Sequence, residues 1–192
     1  MTGLDRYGKG FEALYETTSR QVLAFALRRT MREADAEDAV AETFVVAWRR
    51  LRDAPAIPLP WLYGICRRVL ANQRRSTDRR GRLSSRLFGR APRDAADLRM
   101  EGGPAMEALA GLREDDQELL RLVAWEDLDH GAIAQVLGIS VNAVAIRLYR
   151  ARARFSEQFL RVTAEQLKDF PASRTSDLAM GRSAGSGSED AP

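Results

Sequence analysis

The chain of 192 residues holds one cysteine, one histidine and only two lysines, Lys9 and Lys168. A single thiol, Cys66, cannot close an internal disulfide, and no Cys-x-x-Cys or Cys/His cluster offers the spacing of a metal site. Cys66 lies within an apolar pattern and is expected to be a buried, inert thiol. The lone His130 stands where a helix should begin, with no nucleophile or carboxylate pair framed around it, so a solvent-facing role is expected. Gly-rich phosphate loops are absent too. Neither a cofactor, nor a metal, nor an enzymatic activity is expected. No signal-peptide pattern opens the chain, and no apolar run approaches the roughly 20 residues needed to span a bilayer. The expectation is a cytoplasmic protein with no stable membrane insertion.

What is present is arginine, unevenly spread. The net charge is only +3, yet from Arg67 to Arg99 eleven arginines face three acids, Asp78, Asp94 and Asp97. The acids gather elsewhere, in EADAED at 33–38 and EDD at 114–116. Segregation of this kind suggests a polyanionic partner, although a single charge run is more commonly a solvated face.

Hydrophobic spacing is helical throughout, and no strand pattern or internal repeat competes with it. Phe11, Leu14, Thr18, Val22, Phe25 and Arg29 describe one helix face. A second runs through Ala36, Val40, Phe44, Ala47 and Leu51, with Trp48 beside it. Acids at its start and Arg49, Arg50 and Arg52 at its end complement the helix dipole. Pro55, Pro58 and Pro60 then enforce a loop. Trp61, Leu62, Ile65, Cys66, Val69 and Leu70 form a third stripe, with Arg67, Arg68, Asn72, Arg74 and Arg75 mostly off it. Periodicity fades from Ser76 to Pro104, and resumes with Leu109, Leu112, Leu119, Leu120, Val123 and Ala124 as an expected core. The fold expected is all-α: two small helical bundles joined by a flexible linker. Their bounds are 1–76 and 105–167, with a basic linker at 77–104 and a disordered tail at 168–192.

The second bundle contains HGAIAQVLGISVNAVAIRLYRARARF, residues 130–155, whose glycine interrupts a helical pattern. Asp129 can cap a first helix, with Ile133, Ala134 and Leu137 facing inward. Gly138 can adopt the positive φ that ends it. Ile139 plugs the corner, and Ser140 caps a second helix whose Val144, Leu148 and Ala151 face the core. Asn142, Ala145, Ile146, Tyr149 and Arg150 are left pointing outward. The pattern is that of a helix-turn-helix. Arg147, Arg150, Arg152 and Arg154 supply a density of cations suited to phosphates. The plainer alternative is an ordinary pair of helices with a solvated face.

The segment LLRLVAWEDLDHGAIAQVLGISVNAVAIRLYRARARF resembles region four of the extracytoplasmic-function group of bacterial sigma factors. AEDAVAETFVVAWRRL at 36–51 resembles their region-two helix, and PWLYGICRRVLANQRR at 60–75 the segment that follows it. The two matches stand in the family's order, and the resemblance covers about residues 10 to 160. It implies a subunit that binds core RNA polymerase and directs promoter recognition and DNA melting. The implied partners are the β′ clamp coiled coil, the β flap, promoter DNA and an anti-sigma factor. Asp38, Glu42, Phe44 and Trp48 fall at the family's polymerase-docking positions. Trp61, Leu62 and Tyr63 match the segment that opens and reads the −10 element, with Arg67, Arg68, Asn72, Arg74 and Arg75 beside it. Asn142, Ala145, Ile146, Arg147, Tyr149, Arg150 and Arg154 fall on the element that reads the −35 sequence. Ala41 replaces a glutamine common in the family, and Arg68 an asparagine. Ala145 and Ile146 stand at often polar positions, which points to apolar contact with thymine methyls.

Aromatic faces in a cationic groove suit unstacked bases, at about 1–3 kcal/mol per stacked base. Trp61 serves equally well as core, and Tyr63, off the stripe, is the better stacking candidate. Trp48 is likewise divided between contact and packing. Two other functions fit the same segments: a stand-alone helix-turn-helix regulator with a sensor or dimerisation bundle, and a regulator that binds only proteins. A flexible basic tether between two bundles suits the sigma-factor reading best.

Overall fold

In a computed structural model of the chain, residues 3–88 and 103–168 are described, with the side chains of residues 8–77, 79 and 103–168. Seven α-helices account for them: α1 (Gly3–Leu27), α2 (Glu33–Arg49), α3 (Pro58–Phe88), α4 (Gly103–Ala110), α5 (Glu114–Ala124), α6 (His130–Leu137) and α7 (Val141–Lys168). A 3₁₀ turn at Leu51–Asp53 lies between α2 and α3. No strand occurs among the described residues. The tail expected to be disordered lies outside the described residues apart from Lys168, which ends α7.

The first bundle is α1, α2 and α3. Leu14, Val22, Phe25, Ala36, Ala39, Phe44, Ala47, Leu62, Ile65, Cys66 and Val69 are buried. Thr18 and Thr43 occupy core positions because each hydroxyl donates to a carbonyl one turn back, Leu14 O and Ala39 O, both at 2.6 Å. A buried hydroxyl is tolerated once that bond is made. Glu33 and Asp35 in the first turn of α2, and Arg49 in its last, match the helix dipole as expected.

Two boundaries differ from the sequence expectation. α3 continues to Phe88, twelve residues into the stretch expected as flexible linker. No proline interrupts the chain between Pro60 and Pro92, and arginine and leucine are good helix formers. The rest of that stretch, 89–102, is outside the described residues. α4 begins at Gly103, slightly ahead of the expected Ala105.

In the second bundle α4, α5 and α6 pack against α7. Its core register is shifted from expectation in α5: Leu119 and Leu122 are buried, Leu120 is half-buried, and Ala124 is exposed. Leu112 is half-buried as well. The EDLD turn bends the chain so that Leu122 O accepts from Leu128 N at 3.3 Å.

The bundles do not stand apart. α3 packs along α6, and the buried residues of both bundles form one continuous cluster. Residues 62–66 are all buried, so this part of α3 is covered on two sides, by its own bundle and by α6. Gly64 sits at the crossing: a Cβ there would lie 3.3 Å from Val136 O. Glycine inside a helix costs roughly 1 kcal/mol against alanine, and here it permits close approach.

Candidate nucleic-acid and polymerase interfaces

The helix-turn-helix is assembled from local signals. Asp129 Oδ1 accepts from Ala132 N at 2.7 Å and caps α6. Gly138 ends the helix at φ 68° and ψ 38°, and its N–H donates to Ala134 O at 2.8 Å. Ser140 Oγ accepts from Ala143 N at 3.2 Å and caps α7. Ile139 is half-buried at the corner. Val144, Leu148 and Ala151 are buried, which leaves Asn142, Ile146, Arg147, Tyr149 and Arg150 exposed and Ala145 half-exposed. Tyr149, at 78% exposure, has no core to serve and projects from the helix.

Arg154 departs from the expected −35 set. Its Nε and Nη2 donate to Asp116 Oδ2 and Oδ1 at 2.7 and 2.8 Å, a two-point contact that ties α7 to the start of α5. The hydrogen bonds to the carboxylate hold the Arg154 guanidinium above its ordinary pKa. Its charge is paired within the second bundle, on a side chain that stays 44% exposed.

On α2, Asp38 and Glu42 are exposed and four residues apart, hence on one face. Val45 and Trp48 are exposed on the same helix at 48% and 41%. Phe44, expected among the docking residues, is buried, with its ring 4.8 Å from Tyr15 and 6.2 Å from Phe11. Phe11 also meets Trp48 edge-on at 4.9 Å. Phe44 therefore supports the surface from beneath and does not lie on it. Val45 went unremarked in the sequence, although it stands three residues from Glu42 on the helix's outer side.

Tyr63 is the clearest correction. Expected off the apolar stripe, it is 3% exposed and stacked on Phe25, ring centroids 4.5 Å apart and 11° from parallel. Trp61 is half-buried against the core. Arg68, Asn72 and Arg75 remain exposed, with Arg75 donating to Asn72. Arg67 is half-buried and lines a cleft of about 240 Å³ with Arg147, Arg154, Asp116 and Glu118. Arg74 Nη2 donates to Arg29 O at 2.8 Å, and its Nη1 lies 3.8 Å from Glu114 Oε1.

Burial pushes the Tyr63 phenol up from 10.0 to about 12, with Glu126 adding to the effect, and pushes the Cys66 thiol up from 9.0 to about 11. Both groups hold their protons more tightly when folded than when unfolded. Their contribution is therefore complete below about pH 9 and is lost as pH rises through 9–12. Thermal melts from pH 8 to 11 should show a falling midpoint above pH 9. Cys66→Ala should flatten the lower part of that fall; an unchanged profile would mean the thiol is accessible to water. As expected, Cys66 is buried and His130 is exposed at the first position of α6.

The contact between bundles centres on an arginine that the helix pattern placed on the α1 stripe. Arg29 is 3% exposed at its side chain; Nε bonds Glu118 Oε2 and Nη1 bonds Glu126 Oε1, both at 3.0 Å. Nη1 also donates to Phe25 O at 2.9 Å, and the guanidinium lies 3.5 Å over the Phe25 ring. Arg28 pairs with Glu126 from the outer side. Among the described residues, Arg29 Nη2 is buried with no hydrogen-bond partner. Glu118 and Glu126 come from the second bundle, about ninety residues away in sequence.

Residues 14–80 match the family described as Sigma-70 region 2, and residues 103–155 match Sigma-70, region 4. RNA polymerase sigma factor CnrH of Cupriavidus metallidurans is 32% identical over 145 residues, 65% of this chain and 73% of that protein. A probable RNA polymerase sigma factor, RfaY, of Xanthomonas campestris pv. campestris is 33% identical over 166 residues. That match spans 81% of this chain but 40% of the Xanthomonas protein. The solved structure of CnrH in complex with the cytosolic domain of CnrY superposes with a TM-score of 0.52 at 26% identity, over 77% of this chain and 85% of CnrH. The sigma factor RpoE of Bartonella quintana, solved with the anti-sigma factor NepR, shares the fold at a TM-score of 0.59 and 24% identity, over 78% and 96% of the two chains.

Proposed function

This chain belongs to the extracytoplasmic-function group of RNA polymerase sigma factors and acts in transcription initiation, and we propose that its two bundles divide promoter recognition between them. The first bundle, within residues 1–76, docks on core polymerase at the β′ clamp coiled coil through Asp38, Glu42 and Trp48, with Phe44 beneath. It engages the −10 element through Trp61, Arg67, Arg68, Asn72, Arg74 and Arg75, with Tyr63 stacked on Phe25 beneath that face. The second bundle, within residues 105–167, reads the −35 element through Asn142, Ala145, Ile146, Arg147, Tyr149 and Arg150, and meets the β flap. Residues 77–104 connect the two.

The observation that carries this division is the outer face of α7. Asn142, Ile146, Tyr149 and Arg150 are exposed together on a helix whose opposite side is core, just past a capped turn. A recognition helix presents its first turns in this way to base edges in the major groove. Arg150 is assigned to phosphate, and Asn142 and Ile146 to base choice. Run-off transcription with purified core polymerase on a promoter library tests the whole assignment. Transcripts that depend on both the chain and the core support it. Tight, specific duplex binding by the chain alone, with no transcripts, favours a stand-alone helix-turn-helix regulator. On a −35 duplex, Arg150→Ala should weaken binding on all sequences alike and reduce the salt slope by about one. Ile146→Ala should instead change which bases are preferred.

The work proposed for the chain is binding, with no reaction of its own. Its partners place it in the cytoplasm; among the described residues no single helix is long and apolar enough to cross a membrane. An anti-sigma factor is a further proposed partner, supported by the likeness to CnrH bound to the cytosolic domain of CnrY.

A further inference from the structure

We propose that an arginine stripe along α3 is a second DNA contact of the first bundle: it holds the phosphate backbone of the promoter duplex on the −35 side of the −10 element, whatever the base sequence there.

The stripe is set by register. Arg68, Arg75, Arg79, Arg82 and Arg86 stand seven, four, three and four residues apart on one unbroken helix, Pro58–Phe88. At 3.6 residues per turn these positions fall within about 60° of one another around the axis. Leu62, Cys66, Val69 and Leu70, buried in the core, stand on the other side of the helix. Arg68, Arg75 and Arg79 are exposed, as is Asn72 between them. Among the described residues no ion pair engages these three arginines. Arg67 and Arg74 belong to a different register and are occupied by the fold. Arg67 is half-buried in a cleft, and Arg74 donates to the Arg29 carbonyl.

The spacing is unfavourable unless an anion lies along it. Like charges three and four residues apart weaken a helix. Arg75 and Arg79, Arg79 and Arg82, and Arg82 and Arg86 are such pairs, and Asp78 is the single acid between residues 67 and 88. A solvated helix is stabilised by interleaved acids, which this one lacks. A row of phosphates replaces the repulsion with paired charge and releases counterions.

Length and direction select the anion. From Arg68 to Arg86 is eighteen residues of helix. That is about 27 Å, the rise of about eight base pairs. A free nucleotide or a lipid headgroup needs one pocket, whereas the stripe is a line. The start of α3 carries Trp61 and the proposed −10 face, and its far end leads along the chain to the bundle proposed to read the −35 element. The stripe therefore runs from the −10 element toward the −35 element, where the promoter is still duplex.

This placement rests on the proposed assignment of the −10 face, and the test separates the two. Core polymerase is assembled with four full-length chains. These are wild type, Arg79→Gln/Arg82→Gln/Arg86→Gln, the same three positions changed to lysine, and a charge-matched control, Arg20→Gln/Arg161→Gln/Lys168→Gln, at exposed positions of α1 and α7. Glutamine and lysine are good helix formers, and circular dichroism of the free chains verifies helicity. Each holoenzyme is titrated at several salt concentrations with a promoter duplex that gives run-off product with wild type. A second duplex carries neutral methylphosphonate linkages over about eight base pairs beside the −10 element, on its −35 side. On the native duplex the glutamine variant should bind at least tenfold more weakly than the control, with a salt slope lower by about 2–3. The lysine variant should stay near wild type. The neutral duplex should weaken wild type, lysine variant and control, and leave the glutamine variant unchanged within twofold. Glutamine variant and control binding the native duplex alike overturns the stripe. So does a glutamine variant that loses as much on the neutral duplex as wild type, because its arginines would then act on polymerase or on another stretch of nucleic acid. A lysine variant as weak as the glutamine variant overturns it as well, since charge would not be the cause. Should the glutamine variant lose helicity, wild type decides: equal binding of the native and neutral duplexes overturns the stripe, and weaker binding of the neutral one upholds it. Absence of run-off product from every promoter falls on the proposed function, and the stripe's placement falls with it; equal binding on a productive promoter falls on the stripe alone.

Discussion

Arg154→Ala is expected to lower the unfolding midpoint of the second bundle clearly, and Asp116→Asn by distinctly less. The asymmetry follows from where each partner sits. The Asp116 side chain is 10% exposed, and that of Arg154 is 44% exposed. Removing the arginine leaves a carboxylate with little access to water. Removing the carboxylate's charge leaves a guanidinium that can rehydrate. Asp116 lies in the first turn of α5, where the helix dipole favours its negative charge, so the loss stays below that of a fully enclosed ion pair. Urea unfolding of the full chain measures both variants. Equal costs, or none, would mean that the two-point contact at 2.7 and 2.8 Å does not hold α7 to α5. The same pair separates a structural arginine from a binding one. Arg154→Ala should lose DNA affinity only as the bundle loosens, whereas Arg150→Ala should lose affinity with its melting point nearly unchanged.

Asp38→Ala/Glu42→Ala is expected to weaken binding to core polymerase between tenfold and a hundredfold, about 1.4–2.8 kcal/mol. Both carboxylates are exposed on α2 and have no place in the core, and alanine is the best helix former, so helicity should hold. Two lost charge-assisted contacts account for an effect of this size. Competition binding against the wild-type chain reports it. Unchanged affinity with full helicity would remove this face of α2 from the docking site. Phe44→Ala provides the contrast. That ring is buried between Phe11 and Tyr15, and its removal should cost about 3–5 kcal/mol of stability. Any loss of polymerase binding there would come from a damaged bundle, and a melting curve would show it first.

The features that were legible without the fold are those whose cause is local. Asp129, Gly138 and Ser140 form the turn through bonds to backbone groups three or four residues away, so the residues themselves specify it. The stripes of α1, α2 and α7 were legible because each helix buries one side, and the 3.6-residue repeat then names that side. Where a helix is covered from two directions, the repeat misleads. Tyr63 read as an outward residue, and Val136 was not named for the core, only because nothing nearby in sequence announces that α3 and α6 meet. Leu122 escaped for a related reason: it lies one turn beyond Leu119 on the side of α5 that is buried, in a helix packed against both α6 and α7. Arg29 was visible on the apolar face of α1, but its meaning was not. An arginine at a core position requires a distant acid, and the tertiary structure alone supplied Glu118 and Glu126. Local hydrogen bonds and periodicity thus determined the helices and the recognition turn. Which side of each helix meets the other bundle, and which arginines remain for DNA, was decided by long-range pairing, because burial of charge depends on partners that sequence distance does not reveal.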